Sequence, residues 1–205
     1  MTVPAHSRLY MRELGEREVF GPPSCLLENR LQFLLTVKYR AAYAAAMNIF
    51  AVHLDPTTAA QSLCDKHVVK MLLESAQMLC TVAHGQGIDA PYKAVHAKHP
   101  CTLWAGESAD NYRWLHAHAH ALAVEYTHRY GRTHKSERVV TLMQPDLMDL
   151  PDMGLTPHAQ AMPEQYKHEL TVIAYRKYYW FEKRRFAKWT KRTPPSWWLR
   201  LEAKQ

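Results

Sequence analysis

The chain has 205 residues, of which 47% are apolar and 11% aromatic, enough for one domain with a real core and too much for disorder of the whole chain. Its 26 Lys and Arg exceed its 19 Asp and Glu, and the pI is near 9.2. That excess favours polyanionic partners such as nucleic acid, because attraction to phosphates needs no special geometry.

Residues 1–46 mix "GPPS", scattered charges and an alanine-rich end, "RAAYAAA", with no helical stripe long enough to carry a core. They read as a poorly structured extension or as a mis-assigned start, with Met47 as the first residue of the working protein. "LQFLLTVKYR" within them is interrupted by Lys38 and Arg40, so no run approaches the roughly 18 apolar residues of a spanning helix, and a soluble protein without membrane contact is expected. The cysteines, Cys25, Cys64, Cys80 and Cys101, form no CxxC pair and read as reduced core thiols of a cytoplasmic protein. If the gene is phage-borne, that cytoplasm is the host's.

From Met47 the text becomes orderly. "MNIFAVHL" fits a short strand or an extended arm, and "DPTT" supplies a turn and an N-cap for a helix of about residues 57–84. Within that helix His67, Lys70, Glu74 and Gln77 share one face, while Cys64, Val68, Met71, Leu72 and Leu79 mark another. His84 to Pro100, with its Gly and Pro punctuation, reads as a loop. A second helix begins near Ser108, whose hydroxyl can cap it, and stops at Gly131.

Residues 141–163 carry four prolines and predict an irregular connection. A third helix of about 165–192 then interleaves Tyr175, Tyr178, Tyr179, Phe186 and Trp189 with Arg176, Lys177, Lys183, Arg184, Arg185, Lys188, Lys191 and Arg192. No internal repeat is present. The fold expected is all-α: a compact single domain over residues 47–200, of about three principal helices with long irregular connections.

Three segments offer chemistry. The third helix pairs cations that neutralise phosphates with aromatic faces that stack on bases, and its bland alternative is an amphipathic helix with an aromatic core side and a solvated cationic side. In "HAHAH", His116 and His120 lie one turn apart, a spacing that can hold a metal, and His96, His99 and Cys101 lie near one another in a loop. No full ligand set of recognised spacing accompanies them, so no metal or other cofactor is expected. Glu74, with Lys70 one turn back and His67 two turns back, can orient a proton transfer or stabilise a developing cation if a cleft covers it. Otherwise it is one half of an exposed i,i+4 pair contributing about 0.3 kcal/mol. There is no GxSxG, no Walker loop and no GxGxxG after a strand.

From Met47 onward the phrases "MNIF", "CDKHVVKM", "HPCTLW", "EYTHRYG", "AMPEQYK", "AYRKYY" and "FAKWTKR" resemble a group of small phage and bacterial proteins. That group is more distantly similar to the pyrimidine-dimer DNA glycosylases of the endonuclease V type. The distant likeness rests on a short N-terminal segment, an Asp-x-His-x6-Glu pattern formed by Asp65, His67 and Glu74, an aromatic-rich helix, and a basic, aromatic C-terminus.

The resemblance implies an all-α, endonuclease V-like fold and a DNA repair enzyme acting on double-stranded DNA. In that family the amine of the mature N-terminus attacks the sugar C1′ of a damaged nucleotide to form an imine; a glutamate on the first long helix assists, and β-elimination nicks the strand. Carried over, Glu74 is the catalytic carboxylate, the amine belongs to Met47 or Asn48, and His67 stands beside them. DNA binding falls to Lys66, Lys70, Lys93, Arg176, Lys177, Arg184, Arg185, Lys188, Trp189, Lys191 and Arg192. The chain departs from the family where basic residues stand just before the glutamate and beside the N-terminus: here these positions hold Leu73, Asn48 and Ile49. Two other readings stay open, a non-catalytic nucleic-acid-binding accessory protein and a metal-dependent nuclease using the histidines.

Overall fold

Helix α1 (Pro56–Ser62) opens as the sequence predicts. The Asp55 carboxylate accepts from the Thr58 N–H at 2.7 Å, and Pro56 sits in the first turn, where its missing N–H costs nothing. The structure, a computed structural model, describes residues 47–204; the expectations for residues 1–46 and for Cys25 lie outside the described residues.

The predicted helix over 57–84 is in fact two. Leu63 and Cys64 are extended, and α2 (Asp65–Gly85) starts afresh. The break has a physical cause. The Cys64 N–H donates to Tyr179 Oη at 2.9 Å and the Asp65 N–H to the Lys188 carbonyl at 2.8 Å. Two donors that a continuous helix would aim four residues back are thus taken by the C-terminal part of the chain.

A helix that the sequence reading passed over, α3 (Pro100–Glu107), starts at Pro100, with the His99 ring accepting from the Cys101 N–H at 3.2 Å. Helix α4 (Ala109–Tyr130) has both expected ends. Ser108 Oγ accepts from the Asn111 N–H at 3.1 Å, and Gly131 closes the helix at φ 67°, a left-handed conformation that only glycine adopts without a Cβ penalty. After α5 (Glu137–Leu142), residues 143–170 are irregular apart from single 3-10 turns at Pro145–Leu147 and Glu164–Tyr166. Helix α6 (Thr171–Lys183) and the short α7 (Ser196–Glu202) complete the chain, the latter running past the predicted boundary at 200. Among the described residues there is no strand, so the architecture is all-α, with α2, α4 and α6 the longest helices.

The third helix is shorter than predicted. It stops at Lys183, and residues 184–192 fold back across the start of α2 instead of extending the helix. Hydrogen bonds to distant parts of the chain hold them there. Asp65 accepts from the Thr190 N–H at 2.9 Å and its hydroxyl at 2.8 Å, the Trp189 indole N–H reaches the Ser62 carbonyl at 3.1 Å, and Arg192 forks onto Glu125. The aromatic side of the helix is core: Tyr175, Tyr178 and Tyr179 are buried and cannot stack on bases, which corrects that part of the expectation.

Helices α2 and α4 form the most extensive pair; α1 lies on α4, and α3 and α5 each pack against both. Among the described residues Cys64, Cys80 and Cys101 are buried free thiols, as expected. Asp65 and Glu125 are bridged by Arg129, whose Nε donates to Glu125 at 2.7 Å and Nη1 to Asp65 at 2.9 Å. The side chains of Arg129 and Glu125 are 0% and 1% exposed. Removing one partner of a buried pair leaves an uncompensated charge, so Arg129→Ala is expected to lose about 3–5 kcal/mol of unfolding free energy. Chemical denaturation of wild type and variant measures it; a loss within about 0.5 kcal/mol, the range of ordinary surface changes, contradicts the assignment.

Candidate active site

Met47 to Val52 has no regular secondary structure, yet every one of its residues is buried. Water cannot satisfy its backbone, so neighbouring groups must. Asn48 does much of this: its Oδ1 accepts from the N–H groups of Ile49 at 2.8 Å and Phe50 at 3.0 Å, and its Nδ2 donates to the Ala161 carbonyl at 2.8 Å. The Asn48 N–H itself donates to Glu74 Oε2 at 3.0 Å. Further along, Arg176 Nε reaches the Val52 carbonyl at 2.9 Å and the Trp114 indole N–H reaches that of Leu54 at 2.6 Å.

Glu74 is therefore not on a solvated face. It is 7% exposed, and while Oε2 meets Asn48, Oε1 meets the Lys70 ammonium at 3.1 Å. The i,i+4 pair foreseen in the sequence does form, but under the arm. Burial raises the Glu74 pKa above 4.5; Lys70, the Asn48 N–H and His96 offset part of that rise. The carboxylate is thus poised to take up a proton while touching two nitrogens.

His67, also buried, stacks on Phe50 with ring centroids 4.4 Å apart and is hydrogen-bonded through Nδ1 to Tyr179 Oη at 2.7 Å. Burial, followed by the Lys183 and Lys70 cations, lowers its pKa to about 3, so the ring is neutral at physiological pH. Phe50 has φ 44°, a left-handed backbone that is strained for an aromatic residue, and it is clamped between His67 and Tyr178. Lys183 lies over the Phe50 and Tyr178 rings, and burial above all lowers its pKa, with Lys70 and Arg185 adding to the effect.

Met47, Asn48, His67, Lys70 and Glu74 are thus brought together. Lys66, exposed and over the Phe186 ring, continues the same edge of α2. Lys183 was not among the residues chosen from sequence; its position over the Phe50 ring depends on tertiary packing, and only its place in a basic run pointed to it. His96, noted from sequence only as a loop neighbour of His99 and Cys101, has a left-handed backbone at φ 50° and is near enough to Glu74 to offset part of the rise in its pKa.

Of the remaining cations, Arg184, Arg185 and Lys188 are exposed just beyond α6, Lys93 is exposed on the 86–99 loop, and Lys177 is half-buried on α6. Arg176 is committed to Val52, Arg192 to Glu125 and Lys191 to the His128 carbonyl at 3.2 Å, so these three brace the fold. Trp189 packs on Trp198 with centroids 4.8 Å apart and borders an open depression of about 610 Å³ that also takes in Arg184 and Lys188. Glu74 lies in neither that depression nor the one lined by His53, Arg176 and Arg192. His116 is hydrogen-bonded to the Val140 carbonyl, His118 is buried and His120 exposed. Among the described residues no group of three or more His, Cys, Asp and Glu side chains could hold a metal ion, and no helix is long and apolar enough to cross a membrane.

Comparison with known proteins places this geometry in context. Residues 47–138 match the family described as pyrimidine dimer DNA glycosylase, so the distant resemblance read from the motifs holds over the arm and α1 to α4. The matched stretch contains Asn48, His67, Lys70 and Glu74, and ends before α6 and the basic segment after it. No curated protein and no solved structure matches the chain.

The buried carboxyl makes stability depend on pH. A group whose pKa is higher in the folded chain than in the unfolded chain contributes stability that is complete below the unfolded value, here 4.5, and is lost as pH rises through the folded value. Glu74→Gln cannot ionise and escapes that loss. Relative to wild type, the variant is therefore expected to gain stability as pH rises above 4.5, read as a difference in Tm that widens with pH until the folded carboxyl has ionised. A difference that stays constant across this range, or narrows, contradicts a raised Glu74 pKa.

Proposed function

We propose that the protein is a DNA glycosylase with AP-lyase activity that removes a damaged pyrimidine from double-stranded DNA, pyrimidine dimers being the first substrate to test. One observation carries the reading: within the stretch that matches the glycosylase family, the nitrogen of Asn48 lies 3.0 Å from a buried carboxylate. In a chain matured to begin at Asn48 that nitrogen is a primary amine, and a free α-amine, with a pKa near 7.7–8.0, has a nucleophilic fraction at neutral pH.

The chemistry then follows. The amine lone pair attacks the sugar C1′, the glycosidic bond breaks, and its electron pair leaves with the base, which takes up a proton. The amine gives up a proton as the sugar ring opens to a protonated imine. Glu74 removes a proton from C2′; the C2′–C3′ double bond forms and the C3′–O bond breaks, releasing the 3′ phosphate with its electron pair. Water then hydrolyses the imine. Glu74 stabilises the cationic stages and moves the protons.

In this reading His67 is a positioning residue, holding Phe50 and hence the arm against α2, while Lys66, Lys70, Lys93, Lys177, Arg184, Arg185 and Lys188 supply phosphate contacts. Removal of a base requires the nucleotide to leave the stack, and a cationic rim beside the carboxylate suits an extruded strand. Leu73, in place of a basic residue before Glu74, is the reason that the lesion is given as a damaged pyrimidine in general.

Single-turnover cleavage of duplexes bearing a pyrimidine dimer, other damaged pyrimidines or an abasic site tests the reading. Glu74→Gln is expected to lower the rate by about 10²–10⁴-fold while duplex affinity at the same salt stays within a few-fold. An active wild type whose rate survives Glu74→Gln would return Glu74 to a purely structural role.

The cationic rim has its own test. Replacing Arg185 and Lys188 by Ala should weaken binding to all duplex sequences alike and reduce the log–log salt slope by about one for each phosphate no longer neutralised. An unchanged slope would place DNA elsewhere on the protein.

A further inference from the structure

Helix α2 is buried on nearly every side. Between Lys66 and Ala83 its exposed residues are Lys66, Val69, Lys70 and Leu73, and Gln77 is half-buried. Positions four apart align along a helix, so these fall into two parallel rows: Lys66, Lys70 and the buried Glu74 form one, and Val69, Leu73 and Gln77 the other. Leu73 therefore stands beside the carboxylate, one residue and about 1.5 Å from it along the helix axis.

A single exposed leucine ordinarily needs no explanation. Here two aliphatic side chains, Val69 at 37% and Leu73 at 39% exposure, border two lysines, and the strip holds no exposed carboxylate. Cations and apolar surface side by side suit DNA, whose phosphates take the lysines and whose bases present apolar faces once they are parted. We propose that Leu73 is an apolar wedge that enters the base stack as the damaged nucleotide leaves it, and so sets the rate of base removal from paired DNA.

The proposal rests on the glycosylase reading of the preceding subsection and adds the step that comes before its chemistry. Extruding a nucleotide costs stacking and pairing, and the gap closes again unless something fills it. An apolar side chain between base steps keeps them apart without needing hydrogen bonds. Leu73 has the position for this, because Lys66 and Lys70 flank it on one side and Glu74 is the next residue. Val69 is a turn further from Glu74 and its β-branched side chain is shorter, so it lines the approach while Leu73 makes the insertion.

The carboxylate does not depend on Leu73 for its place. Its oxygens are held by the Asn48 N–H and the Lys70 ammonium, so shortening the exposed leucine leaves the Glu74 hydrogen bonds intact. Alanine also keeps the helix, being its best former.

Single-turnover rates on three DNAs test the proposal: the damaged-pyrimidine duplex that the wild type cuts fastest, the same lesion in an unpaired loop, and a duplex with one abasic site. Leu73→Ala is expected to slow base release from the paired duplex by about 10–100-fold, because the cost of unstacking is no longer offset. In the loop, and at the abasic site where there is no base to unstack, the loss should be less than about three-fold. Leu73→Met, apolar and of similar length, should restore most of the paired-duplex rate, whereas Leu73→Gln, polar and of similar length, should not. Equal losses on all three DNAs, or no rescue by methionine, overturn the wedge and make Leu73 a support for the site. Unchanged rates on all three overturn it as well and leave the strip to a protein partner, with the glycosylase reading standing. A wild type that releases no base from any lesion overturns that reading and the wedge together.

Discussion

The fold depends on satisfying the backbone of a buried segment that is neither helix nor strand. Met47 to Val52 runs through the interior where no water reaches, and each unpaired N–H or carbonyl there would cost about 1–3 kcal/mol. Three separate parts of the chain converge on this segment. Helix α2 brings Glu74 to the Asn48 N–H, the irregular 143–170 connection brings the Ala161 carbonyl to the Asn48 amide, and α6 brings Arg176 to the Val52 carbonyl. Tyr175, Tyr178 and Tyr179 surround Phe50, so α6 joins the core through long side chains that meet the arm.

This constraint explains why a carboxylate is buried at all. A solvated glutamate at position 74 would leave the Asn48 N–H without its acceptor. Covered by the arm, Glu74 has its pKa raised, and its two oxygens meet a backbone nitrogen and an ammonium. The same bond that stabilises the arm thus creates an environment suited to proton transfer. In the proposed reading the backbone nitrogen becomes the reacting amine in a chain matured to begin at Asn48.

A second knot, of charge, closes the other end of α2. Asp65, Glu125, Arg129 and Arg192 form a chain of ion pairs, and the residues after α6 are drawn over it by Thr190 and Trp189. Burial alone would raise the Glu125 pKa, but hydrogen bonds from Arg192 and Arg129 outweigh it and the net shift is downward. Part of the basic excess is therefore used inside the protein. Among the cations exposed at the surface, Lys66, Lys70, Arg184, Arg185 and Lys188 lie on the first turns of α2 and just beyond α6.

Local signals in the sequence determined much of the framework. Asp55 before Pro56, Ser108 and Gly131 are caps whose chemistry acts within a few residues, so the start of α1 and both ends of α4 were legible without a structure. The spacing of His67, Lys70 and Glu74 likewise put them on one face, because helical period is a local property. The break at Cys64, the end of α6 at Lys183 and the burial of Glu74 were not legible. Each is decided by a partner distant in the chain: Tyr179 and Lys188 for the break, Asp65 and Glu125 for the segment after α6, Asn48 for the carboxylate. Periodicity reports which side chains share a face; only tertiary structure decides whether that face meets water or a buried stretch of backbone that needs an acceptor.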